Sequence, residues 1–215
     1  MTSSGYLYVY FFSLTLSTAL GLYRWRRLDI GLKFIVVLLA NTLIVEVLTY
    51  KMSIAGFEVG LPHKVYSVIE SGLITLFFLH SIQQLTKKLI VFVIAIWGVL
   101  VVFNALFVAK YLHITNGILT IQALTFTQMA LVVLYRLMVQ KSIELLQLPS
   151  FWIWSLVMMF YLTTFLYYGL FNEIQAEAPN IYDLVLHLHL LENLVFYFAL
   201  GIVIFCSADR RSSYE

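Results

Sequence analysis

Apolar residues fill this chain in long runs, broken by short polar or charged clusters at spacings close to one bilayer thickness. A helix rises ~1.5 Å per residue, so a hydrocarbon core about 30 Å thick needs roughly 20 apolar residues to cross it. Seven stretches meet that requirement: 6–23, 32–50, 64–85, 89–107, 114–138, 150–171 and 182–207. Their apolar character is continuous rather than alternating with a period of two, which predicts helices and not the strands of a membrane barrel. The predicted fold is all-α: a single polytopic domain over residues 1–215 with seven transmembrane helices.

Composition agrees with the pattern. Of 215 residues, 62% are hydrophobic and 11% charged, where a soluble domain carries about 25% charged residues. A soluble enzyme, a nucleic-acid binder and a disordered tail are excluded as classes, and the lipid bilayer becomes the first expected partner. Charge then sets orientation. Residues 1–5 hold no Lys or Arg, whereas Arg24, Arg26 and Arg27 follow the first apolar run; a secretory signal has the opposite order. Segment one therefore reads as an uncleaved anchor with its N-terminus outside. On that orientation ten of the basic residues fall on the cytoplasmic side: Arg24, Arg26, Arg27, Lys33, Lys87, Lys88, Arg136, Lys141, Arg210 and Arg211. Only Lys51, Lys64 and Lys110 fall outside. That bias predicts an inside C-terminus and a bacterial inner membrane; a reporter fused after Glu215 is expected in the cytoplasm, and an extracytoplasmic reading would reverse the topology. Tyr23, Trp25, Tyr50, Trp152, Trp154 and Tyr182 are expected in the interfacial aromatic belts.

The connecting segments are short. The longest, 51–63 and 172–181, are both predicted to face outward, and no soluble module interrupts the spans. Cys206 is the single cysteine, which excludes an intrachain disulfide. No span holds a mid-membrane lysine for a retinal Schiff base, which excludes an opsin.

Three acidic residues lie inside the spans: Glu46, Glu70 and Glu192. A carboxylate at membrane depth costs a few kcal/mol, so it faces the bundle and takes a partner. Counted from the outer helix ends, Glu46, Glu70 and Glu192 sit ~6, ~9 and ~13 Å deep, with His187 and His189 at ~6 and ~9 Å. His189, Glu192 and Asn193 are spaced i+3 and i+4 and share one face of the last helix; His187 lies elsewhere and pairs better with Asp183. His63, Ser67, Glu70 and Ser71 form a polar stripe on the third helix, with Tyr66 one turn from Glu70. Thr42, Glu46 and Thr49 align on the second helix. Thr120, Gln122, Thr125, Thr127 and Gln128 add a milder set on the fifth. Mutual satisfaction of buried polar groups explains each residue singly. Together they point to an outward-opening pocket of Glu46, Tyr66, Ser67, Glu70, His189, Glu192 and Asn193.

Three functions compete for such a pocket. The first is a ligand-binding or sensory component working through a membrane or cytoplasmic partner protein. The second is a metal-dependent hydrolase of lipids, with Glu70, His189 and Glu192 as ligands that would suit zinc and activate water. The third is a proton-coupled carrier. The spacing contains no HExxH and no i,i+4 histidine pair, so the first reading leads.

The chain resembles small seven-helix membrane proteins of Bacteroidota-type bacteria that have no assigned activity. The resemblance rests on Tyr66 and Glu70 followed by the apolar run 73–79, on Pro149, Phe151, Trp152 and Ile153, and on His189, Asn193, Tyr197, Ala199 and Leu200. It covers the third to seventh helices, implies a seven-helix bundle, and adds Asn116 at the outer end of the fifth helix to the candidate pocket. Alkaline-ceramidase-like hydrolases share seven spans and an outside N-terminus. They hold zinc with a His-x-x-x-His pair on the last helix; here His187-x-His189 cannot put both rings on one face.

Overall fold

The computed structural model describes residues 3–57, 59–83, 88, 91, 92, 95, 99, 115–140, 145–177 and 179–210. All regular structure among the described residues is helical. The main helices are α1 (Ser3–Arg24), α2 (Ile30–Ile54), α3 (Gly60–Ser81), α4 (Thr115–Gln140), α5 (Pro149–Glu177) and α6 (Pro179–Arg210). Among the described residues, five segments are long and apolar enough to cross a bilayer: Gly5–Arg27, Ile30–Ile54, Leu119–Val139, Pro149–Leu170 and Leu184–Ser207. No more than 39% of any of these apolar windows is buried inside the protein. Side chains such as Ile44, Leu131, Tyr135 and Leu166 are left exposed on helix faces; lipid is the solvent that accommodates them. The chain is a multi-pass helical membrane protein.

Most helix ends run past the limits of the apolar pattern. The predicted loops 51–63 and 172–181 shrink, because α2 continues to Ile54, α3 begins at Gly60 and α5 runs to Glu177. Polar residues such as Asn172, Glu173 and Gln175 end an apolar run but do not break a helix. What breaks these helices is local. After α2, Phe57 N–H donates to Met52 O (2.9 Å) and Gly56 N–H to Ser53 O (3.1 Å), with Gly56 at φ +75. That is a Schellman stop, and it needs the left-handed residue that glycine supplies. At α6, Pro179 occupies the first helical position, where its missing N–H costs nothing. The third predicted span falls short of residue 85: α3 stops at Ser81, and its apolar part is Val65–Ser81. Of the fourth span, 89–107, only residues 91, 92, 95 and 99 are described, all helical; the remainder lies outside the described residues.

Two compact units divide the chain: residues 18–113, and residues 1–17 with 114–215. In the first, a short turn at Trp25–Arg27 leads into α2, which Asp29 caps by accepting the Leu32 N–H at 2.8 Å. α2 packs on α3 through Leu32, Ile35, Leu39, Ile74 and Phe77, all buried. His80 lies against Gly31, where a Cβ would meet its Nε2 at 2.9 Å, and 4.0 Å from Asp29 Oδ1. In the second unit α4 packs on α5 and α5 on α6. Phe126 meets Tyr161 edge-on at 4.8 Å, and Tyr10 of α1 reaches Tyr197 of α6 at 6.1 Å. Trp154 is fully buried in this core, so it is not the belt residue its position suggested; Trp152, 45% exposed, does face outward.

Candidate functional site

The pocket residues expected from sequence fall into two clusters, one in each unit. Glu46, Tyr66, Ser67 and Glu70 belong to residues 18–113, and Asn116, His189, Glu192 and Asn193 to the other unit.

In the first cluster the Tyr66 hydroxyl donates to Glu70 Oε1 at 2.9 Å, and Thr42 Oγ1 lies 3.1 Å from the same hydroxyl. Thr42 also donates to Leu38 O at 2.9 Å, a bond that a threonine in the next helical turn makes readily. Thr42 and Glu70 are buried. The close approach of the two hydroxyls joins α2 to α3, and Tyr66 supplies the partner that a carboxylate at that depth requires. Glu46 is half-buried, and its backbone carbonyl accepts from Thr49 at 3.1 Å. Ser67 is half-buried, and its carbonyl accepts from Ser71 at 2.7 Å. His63 is exposed rather than part of a buried stripe.

Of the second group, His189 and Glu192 line a groove of about 560 Å³ between α5 and α6. Its walls are apolar and include Leu156, Met159, Phe160, Leu166, Val195 and Phe196. Helical spacing brings His189 and Glu192 to one face, and the groove receives both. His189 Nδ1 lies 3.4 Å from Glu192 Oε2, with the two side chains 15% and 22% exposed. That separation is a charge contact and is too long and misaligned for a hydrogen bond. Nδ1 is buried, and no described residue completes a hydrogen bond to it. The imidazole is held by aromatic faces instead. Tyr167 stacks on it at 4.4 Å and 4°, Tyr168 meets it edge-on at 6.1 Å, and Phe160 lies 6.4 Å away at 22°. Phe160 in turn stacks on Phe196 at 4.2 Å. The polar lining residue Thr163 spends its hydroxyl on Met159 O (3.0 Å) and Phe160 O (2.9 Å). Asn193 donates Nδ2 to His189 O at 2.8 Å, so it stiffens the α6 turn beneath the histidine.

Other expectations resolve differently. His187 sits 6.0 Å edge-on from Tyr6; the side chain of its anticipated partner, Asp183, lies outside the described residues. Asn116 is in the first turn of α4, and its side chain also lies outside them. On α4, Gln122 and Thr127 are buried while Gln128 is exposed, so the anticipated stripe does not share one environment. Among the described residues no group of three or more His, Cys, Asp or Glu side chains is arranged to hold a metal ion. Of the proposed set, Glu70 belongs to one unit and His189 and Glu192 to the other.

Sequence reasoning missed Phe160 and Tyr167. The segment 151–171 is so rich in aromatics that packing and lipid contact account for it, and only α5–α6 pairing singles out the two that hold His189. No family model, curated protein or solved structure matches the chain.

Proposed function

We propose that this protein binds an amphiphile in the α5–α6 groove, with an apolar chain along the walls and a small hydrogen-bonding head at His189 and Glu192. The observation that carries this reading is the buried Nδ1 of His189, which lacks a hydrogen bond inside an otherwise apolar groove. Leaving such a group unsatisfied costs about 1–3 kcal/mol, and a ligand that bonds to it recovers that cost. The groove volume of about 560 Å³ falls in the range of small-molecule sites, roughly 300–1,000 Å³, and such sites combine apolar walls with few polar groups. A head bearing one hydroxyl or amide suits a histidine–glutamate pair, which offers both a donor and an acceptor.

The same reading takes the chain as a seven-span protein of a bacterial inner membrane, N-terminus outside, supported by the distribution of Lys and Arg. It acts as a binding or sensory component and passes occupancy of the groove to a partner protein. Short connections between the spans support that role over catalysis. A long-chain alcohol carrying a photoreactive diazirine tests the ligand class. Adducts are expected on α5 and α6 beside the groove, and replacing His189→Ala is expected to weaken binding roughly tenfold, the value of one hydrogen bond to a buried polar group.

A further inference from the structure

We propose that the turn between α1 and α2 is a binding site for an anionic phospholipid, separate from the α5–α6 groove. A cavity of about 660 Å³ opens here, lined by Leu22, Tyr23, Arg24, Trp25, Arg26, Arg27, Val36, Val37 and Ala40. The lining divides by chemistry. Leu22 of α1 and Val36, Val37 and Ala40 of α2 give the cavity an apolar wall. Arg24, Arg26 and Arg27 line it at the end of the span Gly5–Arg27.

Charge complementarity decides the occupant. Arg24, Arg26, Arg27 and Lys33 fall within ten residues of sequence that hold one acidic residue, Asp29, and its carboxylate is already engaged. Asp29 accepts the Leu32 N–H at 2.8 Å and lies 4.0 Å from His80 Nε2. Arg26 and Arg27 are exposed, and a guanidinium matches a phosphate with paired donors. Aromatic rings hold two of the cations in place: Arg24 Cζ lies 5.7 Å from the Tyr23 ring centre, and Lys33 Nζ 5.7 Å from that of Trp25. Interfacial Tyr and Trp mark the headgroup level of a bilayer. A phosphate beside the arginines, joined to an acyl chain along the apolar wall, meets both halves of the cavity; a free anion lacks the chain, and a zwitterionic lipid brings a cation next to the arginines. Basic pockets of this kind between membrane helices recognise acidic headgroups.

Native mass spectrometry of the detergent-solubilised full chain tests the site, using phosphatidylglycerol and phosphatidylcholine with identical acyl chains. Wild-type protein is expected to bind phosphatidylglycerol at least about 25-fold more tightly, from roughly fivefold for each of two exposed cations. Each cation removed is expected to lower that affinity about fivefold, so Arg26→Gln/Arg27→Gln lowers it roughly 25-fold and leaves phosphatidylcholine binding unchanged. Millimolar inorganic phosphate is expected not to displace the lipid. Equal binding of the two lipids by wild-type protein overturns the proposal without recourse to any variant. Retention of the preference in a helical, monodisperse Arg26→Gln/Arg27→Gln protein overturns it too, as does displacement by inorganic phosphate, which would mark a simple anion site.

Discussion

Replacing Gly201→Ala is expected to destabilise the protein by about 2–3 kcal/mol, at the upper part of the range for overpacking. A Cβ at Gly201 would meet Ser17 Cβ at 2.7 Å and Ser17 Cα at 2.9 Å, with Ser17 Oγ closer still. Ser17 is 1% exposed, so it has no room to yield, and a backbone atom among the obstacles means that α1 itself must shift. Helices in a bilayer gain little from the hydrophobic effect on association, since lipid is as apolar as their side chains; close approach at small residues supplies the packing instead. Gly201 on α6 and Ser17 on α1 are such a pair. Reversible unfolding in mixed micelles measures the loss. The double change Gly201→Ala/Ser17→Gly is expected to recover part of it, because the side-chain obstacles go while the Cα remains. Full additivity of the two single changes would show that the residues do not touch.

Phe160→Ala carries the second largest effect. Phe160 is 7% exposed, stacks on Phe196 at 4.2 Å and meets Tyr161 edge-on at 5.0 Å. In a soluble core its removal would cost about 3–5 kcal/mol, but that figure includes transfer from water. Here the unfolded reference is lipid, so the packing part remains: a void on the order of 100 Å³ at about 24 cal/mol per Å³ gives roughly 2 kcal/mol. The same change removes the wall between His189 and the rest of the groove. Loss of stability in unfolding titrations should therefore be accompanied by loss of amphiphile binding in variant that still folds. Retained binding at reduced stability would show that Phe160 packs the helices without shaping the groove.

Much of this architecture is written in the sequence. Continuous apolar runs mark where the helices lie, because nothing but helix satisfies the backbone in lipid. The i+3 and i+4 spacing of His189, Glu192 and Asn193 places them on one face, and Tyr66 with Glu70 follows the same rule. Helix ends are less legible. Polarity and helix termination are different signals, and Gly56 and Pro179, rather than the polar residues before them, end or restart the helices. The partners of a polar residue are least legible of all. Nothing in the order of aromatics on α5 distinguishes Tyr167 from Tyr168, yet one lies flat on His189 and the other meets it edge-on. Depth counted along the sequence does not name partners either: Glu70 accepts from Tyr66, and His189 lies beside Glu192, each on its own helix.

The most direct test of the groove as a binding site is where a photoreactive amphiphile attaches. Protein in proteoliposomes is irradiated with a diazirine-bearing long-chain alcohol, and the adducts are mapped by peptide mass spectrometry. The account predicts adducts concentrated on residues 156–170 and 185–196, suppressed by excess unlabelled alcohol and strongly reduced in His189→Ala. Adducts spread over exposed faces such as Ile44, Leu131 and Tyr135 in proportion to lipid contact, unaffected by competitor or by His189→Ala, would contradict it.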